Sequence, residues 1–142
     1  MTERAAQHLG AVSLIVPDYD EAIAFFCTGL GWTLCEDIPQ GAKRWVTVAP
    51  ETGGCRLVLA RAEGKAQRAA IGAQGGGRVW LFLYTDDFAR DAARLTRAGA
   101  VFEEPPRSEP YGRVAVWRDP WGNRWDLIQP LDATSARMIA KN

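Results

Sequence analysis

Histidine is almost absent from this chain: His8 is the single histidine among 142 residues. One imidazole cannot supply the several histidine ligands on which many catalytic zinc and iron sites depend. The chain also has no Gly-x-Ser-x-Gly elbow, so a serine nucleophile with a histidine base is not expected. We expect His8 to be an ordinary surface residue of a polar lead.

Cysteines and long apolar runs are also scarce. Cys27, Cys35 and Cys55 are scattered without a C-x-x-C spacing, and their odd number favours a reducing compartment over a disulfide framework. The start of the chain, Met-Thr-Glu-Arg-Ala, lacks the apolar core of a signal peptide. We therefore expect a cytoplasmic protein with buried, unreactive thiols. No apolar run approaches the roughly 18 residues of a membrane-spanning helix, so no membrane partner is expected.

An excess of charge of one sign is missing too. Seventeen basic and seventeen acidic residues cancel to a net charge of zero. A nucleic-acid-binding protein needs a basic patch or stripe, so no nucleic-acid partner is expected. The 47% of hydrophobic residues is ordinary for a globular protein, and the length fits one domain.

The chain does contain an internal repeat. In the first half, Asp18 and Glu21 resemble a helix-starting capping box, and the helix is expected to end around 29–31. The second half offers a helix over 86–98, closed by Gly99. The predicted strands are 12–16, 32–38, 45–49 and 56–60 in the first half, and 79–84, 101–103, 113–117 and 124–128 in the second.

A shift of 68 residues superposes the two halves without a gap: Asp18 falls on Asp86, Gly31 on Gly99 and Leu59 on Leu127. The pattern predicts an α+β fold of two tandem βαβββ modules, 9–60 and 78–130, within one domain spanning 1–142. Residues 61–77 are expected to be a flexible linker, and residues 131–142 a loose tail or short helix.

The stretch from Asp119 to Leu127 predicts a β-hairpin with a four-residue loop, 120–123, which holds proline, glycine and asparagine. Pairing outward from residues 119 and 124 sets Trp117 opposite Asp126. Asp126 would then share a sheet face with Trp117 and with Arg113. An acid among aromatic and apolar neighbours requires an explanation.

Three segments resemble the vicinal oxygen chelate superfamily, which includes glyoxalases, bleomycin-resistance proteins and extradiol dioxygenases. They are Val-Pro-Asp-Tyr-Asp-Glu-Ala-Ile-Ala-Phe-Phe, Leu-Gly-Trp, and Asp-Pro-Trp-Gly-Asn-Arg-Trp-Asp-Leu. The resemblance covers about residues 9–130 and implies two modules whose mixed sheet curls into a cup, often completed by a second subunit. We therefore expect a homodimer. The superfamily hosts lyases, isomerases, dioxygenases and metal-free drug binders, so fold alone does not choose among them.

The resemblance also implies four metal-ligand positions, which fall here on Ala11, Val58, Val79 and Asp126. Only Asp126 has a side chain that can bind a metal. His8 lies three residues before Ala11, roughly 10 Å along an extended strand. We expect no metal ligands and no cofactor.

Asp126 leaves several roles open. It can contact a cationic or hydroxyl group of a ligand, act as a general base, or form a structural salt bridge to Arg113 or Arg124. Those arginines can also grip a polar or anionic ligand together with Asp126. Trp80 and Trp125 are expected on the opposite, helix-packed face.

Further ligand contacts are expected along the cup. Trp117 is expected to form an aromatic wall, with Trp45 opposite and Ser13 on the first strand. Tyr111 is either a ligand contact or part of a surface turn.

The sequence thus predicts a metal-independent protein that binds or sequesters a small, partly aromatic molecule in the cup. The alternative is a glyoxalase-type lyase or isomerase. That enzyme would either be metal-independent with Asp126 as base, or metal-dependent through ligands not identified in the sequence.

Overall fold

The computed structural model describes residues 5–131; the predicted tail beyond 131 lies outside this range. The first module consists of β1 (Ala11–Val16), α1 (Tyr19–Ile23, continued by a π-helical turn, Ala24–Gly29), β2 (Thr33–Gln40), β3 (Lys43–Ala49) and β4 (Arg56–Arg61). The second module consists of β5 (Val79–Tyr84), α3 (Phe88–Ala98), β6 (Val101–Phe102), β7 (Arg107–Glu109), β8 (Gly112–Arg118) and β9 (Arg124–Pro130). Between them, the expected linker contains a short helix, α2 (Gly64–Ala70).

The predicted α+β class is confirmed, because each module folds its strands into a mixed sheet. The first sheet has the order β1-β4-β3-β2, and the second has β5-β9-β8-β6 with β7 also pairing with β8. In both sheets the first and last strands of the module run parallel, and the other neighbours are antiparallel. The additional short strand β7 distinguishes the second module from the predicted pattern.

Both main helices begin at an aspartate. The Asp18 carboxylate accepts from the Glu21 N–H at 2.8 Å, as predicted, whereas the Glu21 carboxylate accepts from Trp121 Nε1 at 3.0 Å. The second helix begins at Phe88 rather than at 86, because Asp87, one residue after the predicted Asp86, is the cap that accepts from the Arg90 N–H. Its end at Gly99 is as predicted, and this glycine has the left-handed φ of 110° that favours it there.

The repeat is real in architecture, but its constant 68-residue offset is wrong. A register shift between Val79 and Leu81 adds one residue to β5, so Leu83 rather than Phe82 matches Leu14. The π-helical turn adds one residue to the first helix, which restores the offset at Gly31 and Gly99. The extra residue in β5 of the second module and the extra residue in the first helix of the first module offset each other. The two halves of the sequence therefore align without a gap.

The core is shared by the two modules, since helix residues of the first pack on the second sheet. The Phe26 ring lies 6.2 Å from the Trp125 ring, and the Phe25 ring lies 6.5 Å from that of Trp117. Trp80 and Trp125 pack in this core as predicted. The helices thus cover one face of each sheet, called the inner face below, and the opposite face is called the outer face.

Two smaller observations complete the fold. Cys55 is exposed, and Cys27 and Cys35 are partly exposed, so the expectation of buried thiols is wrong. His8 is exposed, as expected. None of the helices within residues 5–131 has the length and hydropathy that crossing a bilayer requires.

Candidate functional site

The β8–β9 hairpin differs by one residue from the predicted register. Val116 lies opposite Asp126, Trp117 opposite Trp125 and Arg118 opposite Arg124, so the predicted pairing of Trp117 with Asp126 is wrong. Five residues, 119–123, form the loop instead of four. The reason is the Asp119 carboxylate, whose Oδ1 accepts from the backbone N–H groups of residues 121, 122 and 123, each at 3.0 Å.

Asp119 is a buried structural residue that the sequence analysis missed. Its Oδ2 also accepts from Asn123 Nδ2 and from Trp125 Nε1, each at 3.0 Å. Aspartate commonly bonds the backbone two residues further on in turns, and the Asp-Pro-x-Gly-Asn stretch carries that signal. The hydrogen bond to Trp125 ties the turn to the core, and this sets the hairpin register.

The corrected register moves two predicted site residues away from Asp126. Trp117 lies on the inner face, fully buried, with its ring stacked 4.7 Å from that of Trp125. Arg113 also lies on the inner face, where its guanidinium carbon sits 4.8 Å over the Phe88 ring. A one-residue slip exchanges the two faces of a strand, so neither residue can line a cup around Asp126.

The outer face of the second sheet carries Asp126 among apolar side chains. Val116 on β8 and Phe82 on β5 are its cross-strand neighbours. Asp126 is 7% exposed, whereas the Phe82 and Tyr84 rings are 54% and 48% exposed. Ile128, paired with Tyr84, is buried on the same face. Two accessible aromatic rings therefore lie on the face that holds a nearly buried carboxyl group.

The predicted salt bridge from Asp126 to Arg124 is not formed. Arg124 shares the outer face with Asp126, but its Nε and Nη2 donate to the Glu103 carboxylate at 2.8 and 3.1 Å. Its Nη1 donates to the Gly77 carbonyl at 2.8 Å. Three nitrogens of this guanidinium are therefore bonded to groups other than Asp126.

Arg107 on β7 is a second arginine of this face, and it was not predicted as a site residue because the short strand β7 was not predicted. It lies opposite Val114, and its Nε is 3.4 Å from carboxylate oxygens of Glu104 and of Glu109. Glu104 in turn accepts from the Val116 N–H at 3.1 Å. Arg107 is thus held over the outer face by contacts that reach β8.

One oxygen of Asp126, Oδ1, is buried and has no hydrogen-bond partner within residues 5–131. Burial raises the pKa of this carboxyl group; the charges of Arg107 and Arg124 oppose the rise, and that of Glu104 adds to it. A carboxylate in this state gains from any ligand group that donates a hydrogen bond or a proton to it.

The remaining predicted residues lie elsewhere. Ser13 and Trp45 occupy the outer face of the first sheet, where Ser13 lies opposite Val58 and Trp45 opposite Ile38. Trp45 is 38% exposed and Tyr111, between β7 and β8, is 54% exposed. Of the six other predicted residues, the structure therefore places only Arg124 on the same sheet face as Asp126.

Comparison with known proteins identifies the superfamily of this chain. The sequence profile of the glyoxalase/bleomycin resistance protein/dioxygenase superfamily matches residues 8–127. The chain belongs to this superfamily. An uncharacterized protein of Shewanella frigidimarina (strain NCIMB 400) is 48% identical over 129 residues, which cover 89% of this chain and 96% of that protein.

Two solved structures show the same fold. TnmS3, an antibiotic binding protein from Streptomyces sp. CB03234, is 33% identical with a TM-score of 0.73, over 90% of this chain and 99% of that chain. A glyoxalase/bleomycin resistance protein from the same organism is 31% identical with a TM-score of 0.66, over 86% and 100%. The resemblance found in the sequence is confirmed.

The metal site that this superfamily implies does not fit the side chains present here. The side chains of Ala11, Val58 and Val79 offer no donor atoms, and the cross-strand neighbours of Asp126, Val116 and Phe82, are apolar. Within residues 5–131 no group of three or more His, Cys, Asp or Glu side chains converges. Divalent metals need several N, O or S donors held together, and one carboxylate does not supply them.

Proposed function

We propose that this superfamily member binds a small, partly aromatic molecule on the outer face of the second sheet, without a metal. The observation that carries the proposal is the nearly buried Asp126 carboxyl group, with one unpaired oxygen, on a face that exposes the Phe82 and Tyr84 rings. Small-molecule sites combine apolar and aromatic walls with a few placed polar groups. The face has this composition.

Sequestration is the simplest use of such a face. The similarity to the antibiotic binding protein TnmS3, at 33% identity, supports a small organic molecule as the partner. The three free cysteines suit a reducing compartment, and we place the protein in the cytoplasm.

We further propose a homodimer in which a second subunit closes the cup. The outer face of the first sheet exposes Ile38 and Trp45, just as that of the second sheet exposes Phe82 and Tyr84. In such a dimer Ser13 and Trp45 can line the cup of the other subunit, and Tyr111 lies near its rim. The residues predicted for one site would then be divided between two chains.

The experiment begins with native mass spectrometry of the purified protein, which detects a compound that co-purifies with it. That compound, or a panel of aromatic compounds, is then titrated while tryptophan fluorescence is recorded. Asp126→Asn should weaken binding about tenfold, since a hydrogen bond to a charged group contributes roughly 1.5–3 kcal/mol. Thermal stability should not fall.

Asp86→Asn is the matched control, because Asp86 is exposed and pairs with Arg90 on the helix surface. The affinity of this variant for the compound should equal that of the wild type. Equal affinity of the Asp126→Asn variant and the wild type would contradict the proposal. Elemental analysis should find no stoichiometric Zn, Ni, Mn or Fe. A transition metal bound near Asp126 would mean that the assigned ligand positions are wrong.

A second candidate function is a lyase or isomerase of the glyoxalase type with Asp126 as the base. The raised pKa of Asp126, caused mainly by burial, favours it because a base works best with a pKa near the operating pH. NMR of the bound compound over time separates the two functions. Conversion that Asp126→Asn abolishes would establish the enzyme, and an unchanged compound would establish the binder.

A further inference from the structure

Two buried polar atoms on the outer face of the second sheet have no hydrogen-bond partner within residues 5–131, and they are of opposite kinds. One is Asp126 Oδ1, an acceptor, and the other is Arg107 Nη1, a donor. A buried polar group without a partner is unfavourable by about the full free energy of its desolvation. Because one atom accepts and the other donates on the same face, a single bound ligand can supply the missing hydrogen-bond partner of both.

The sheet register places the two side chains on the same face. Strands β7 and β9 are both neighbours of β8, with Arg107 opposite Val114 and Asp126 opposite Val116. Residues two apart on a strand share a face, so Arg107 and Asp126 lie on the outer face with one strand between them. Among the described residues, Arg107 forms ion pairs with Glu104 and Glu109 but none with Asp126.

The Arg107 guanidinium is held in place from one side. Its Nε faces Glu104 and Glu109, each at 3.4 Å, and Glu104 is itself anchored by the Val116 N–H. This leaves Nη1 as the end without a partner. Burial raises the pKa of the Asp126 carboxyl group, and among the charged groups that modify it Arg107 has the largest effect. The register, which places Arg107 opposite Val114 and Asp126 opposite Val116 on the same face, brings both groups within reach of one ligand.

We propose that Arg107 and Asp126 together select an uncharged ligand group in which a hydrogen-bond donor lies beside an acceptor, as in a lactam or carboxamide. The ligand's donor group donates a hydrogen bond to Asp126 Oδ1, and its acceptor group accepts a hydrogen bond from Arg107 Nη1. A cation would meet Arg107 and Arg124, and an anion would meet Asp126, so a neutral group with both functions suits the pair best. The Phe82 ring provides the stacking surface for a flat ring system. This inference rests on the proposed binding function and names its ligand class.

Three flat bicyclic probes of similar size test the inference on the wild-type protein by calorimetry. Isocarbostyril is an aromatic lactam with N–H beside C=O; isocoumarin replaces the N–H by oxygen; naphthalene has neither group. Isocarbostyril should bind roughly tenfold or more tightly than isocoumarin, because only it satisfies Asp126 Oδ1. Naphthalene should bind most weakly.

Arg107→Met provides the second measurement. It should weaken binding of isocarbostyril and isocoumarin about tenfold and leave naphthalene binding unchanged, a pattern that general damage to the fold would not give. Arg68→Met, at an exposed arginine of α2, is the matched control and should change none of the three affinities. The comparison of probes on the wild-type protein stands even where the Arg107 variant does not fold.

The outcomes separate this inference from the proposed function. Equal affinity for isocarbostyril, isocoumarin and naphthalene would overturn the paired recognition and leave aromatic binding in place. Absence of binding by all three would overturn both. Unchanged affinities of isocarbostyril and isocoumarin in the Arg107→Met variant would overturn the role of Arg107.

Discussion

At the scale of single residues, two aspartates of one hairpin show how environment decides the role of a carboxylate. Asp119 and Asp126 are both buried. Asp119 accepts hydrogen bonds from three backbone N–H groups and two side chains, whereas Asp126 Oδ1 has no partner among the described residues. The first arrangement stabilises the fold. The unpaired, buried oxygen of Asp126 lowers the stability of the fold, and residues of this kind are typical of functional sites.

The pH dependence of stability should reveal this difference. Burial raises the pKa of Asp126, so the native state binds this proton more tightly than the unfolded chain does. The contribution of Asp126 to stability therefore falls as the pH rises from the ordinary aspartate pKa, about 3.9, through the raised value. Asparagine cannot ionise. At neutral pH the free energy of unfolding of Asp126→Asn should exceed that of the wild type by up to about 2 kcal/mol. The difference between the two proteins should shrink as the pH is lowered.

Thermal melts of both proteins across the range from about pH 4 to about pH 8 check this expectation. Asp86→Asn again serves as the control, and its melting curve should follow the wild type at each pH. A variant that is less stable than the wild type at neutral pH would show that Asp126 has a structural ion-pair partner after all.

Asp119→Asn should have the opposite effect on stability. The amide keeps one oxygen for the backbone N–H groups, but its NH₂ then faces two other donors, Asn123 Nδ2 and Trp125 Nε1. We expect a loss of about 2–4 kcal/mol in the free energy of unfolding, measured with urea. A loss below about 0.5 kcal/mol would mean that the turn is held by other contacts.

At the scale of elements, the sequence predicts the strands and helices better than the bulges, turns and loops that interrupt or connect them. The strand over 79–84 and the helix end at Gly99 are found where they were predicted. The β-bulge at Trp80, the π-helical turn and the five-residue hairpin loop were missed. The hairpin loop depends on hydrogen bonds to the Asp119 side chain, and hydrophobic periodicity does not report such bonds or single inserted residues.

The same limit explains how much of the site could be predicted. Asp126 was found because an acid among apolar residues is conspicuous in the sequence. Trp117 and Arg113 were assigned to the wrong face, since one residue of register exchanges the faces. Arg107 was missed because its strand, Arg-Ser-Glu, is three residues long and has no apolar pattern.

The contact between the helices of the two modules gives a prediction at this scale. A Cβ added to Gly29 would lie 2.7 Å from Ala98 Cβ, so Gly29→Ala forces the helices apart. Overpacking typically destabilises by 1–3 kcal/mol, and the better helix propensity of alanine offsets part of this. We expect a net loss of about 1–2 kcal/mol in chemical denaturation.

Gly29→Ala combined with Ala98→Gly restores the space and should recover part of the loss. Gly10→Ala is the control, because a Cβ there meets nothing nearer than 3.7 Å; it should leave stability unchanged. Additive losses in the double variant would show that the two residues do not oppose each other.

At the scale of the whole molecule, the two modules share one core but expose their outer faces. The helices of both modules fill the space between the inner faces. The outer faces carry Ile38, Trp45, Phe82 and Tyr84, each at least 38% exposed. Clusters of exposed apolar side chains commonly mark binding or association surfaces. The proposed ligand and the proposed second subunit would occupy these same faces.

Association should therefore be sensitive to charge on the outer face. At micromolar concentration we expect light scattering to give about twice the chain mass of 15.6 kDa. Phe82→Glu should shift the protein toward the monomer, because a carboxylate buried in an interface without a partner is strongly unfavourable. Its thermal stability in the monomeric state should change little, since Phe82 is 54% exposed.

Leu9→Glu changes an exposed apolar residue outside both sheets and should leave the mass unchanged. A wild-type mass of 15.6 kDa at these concentrations would contradict the dimer. In that case the outer face of the second sheet would have to form the binding site within a single chain.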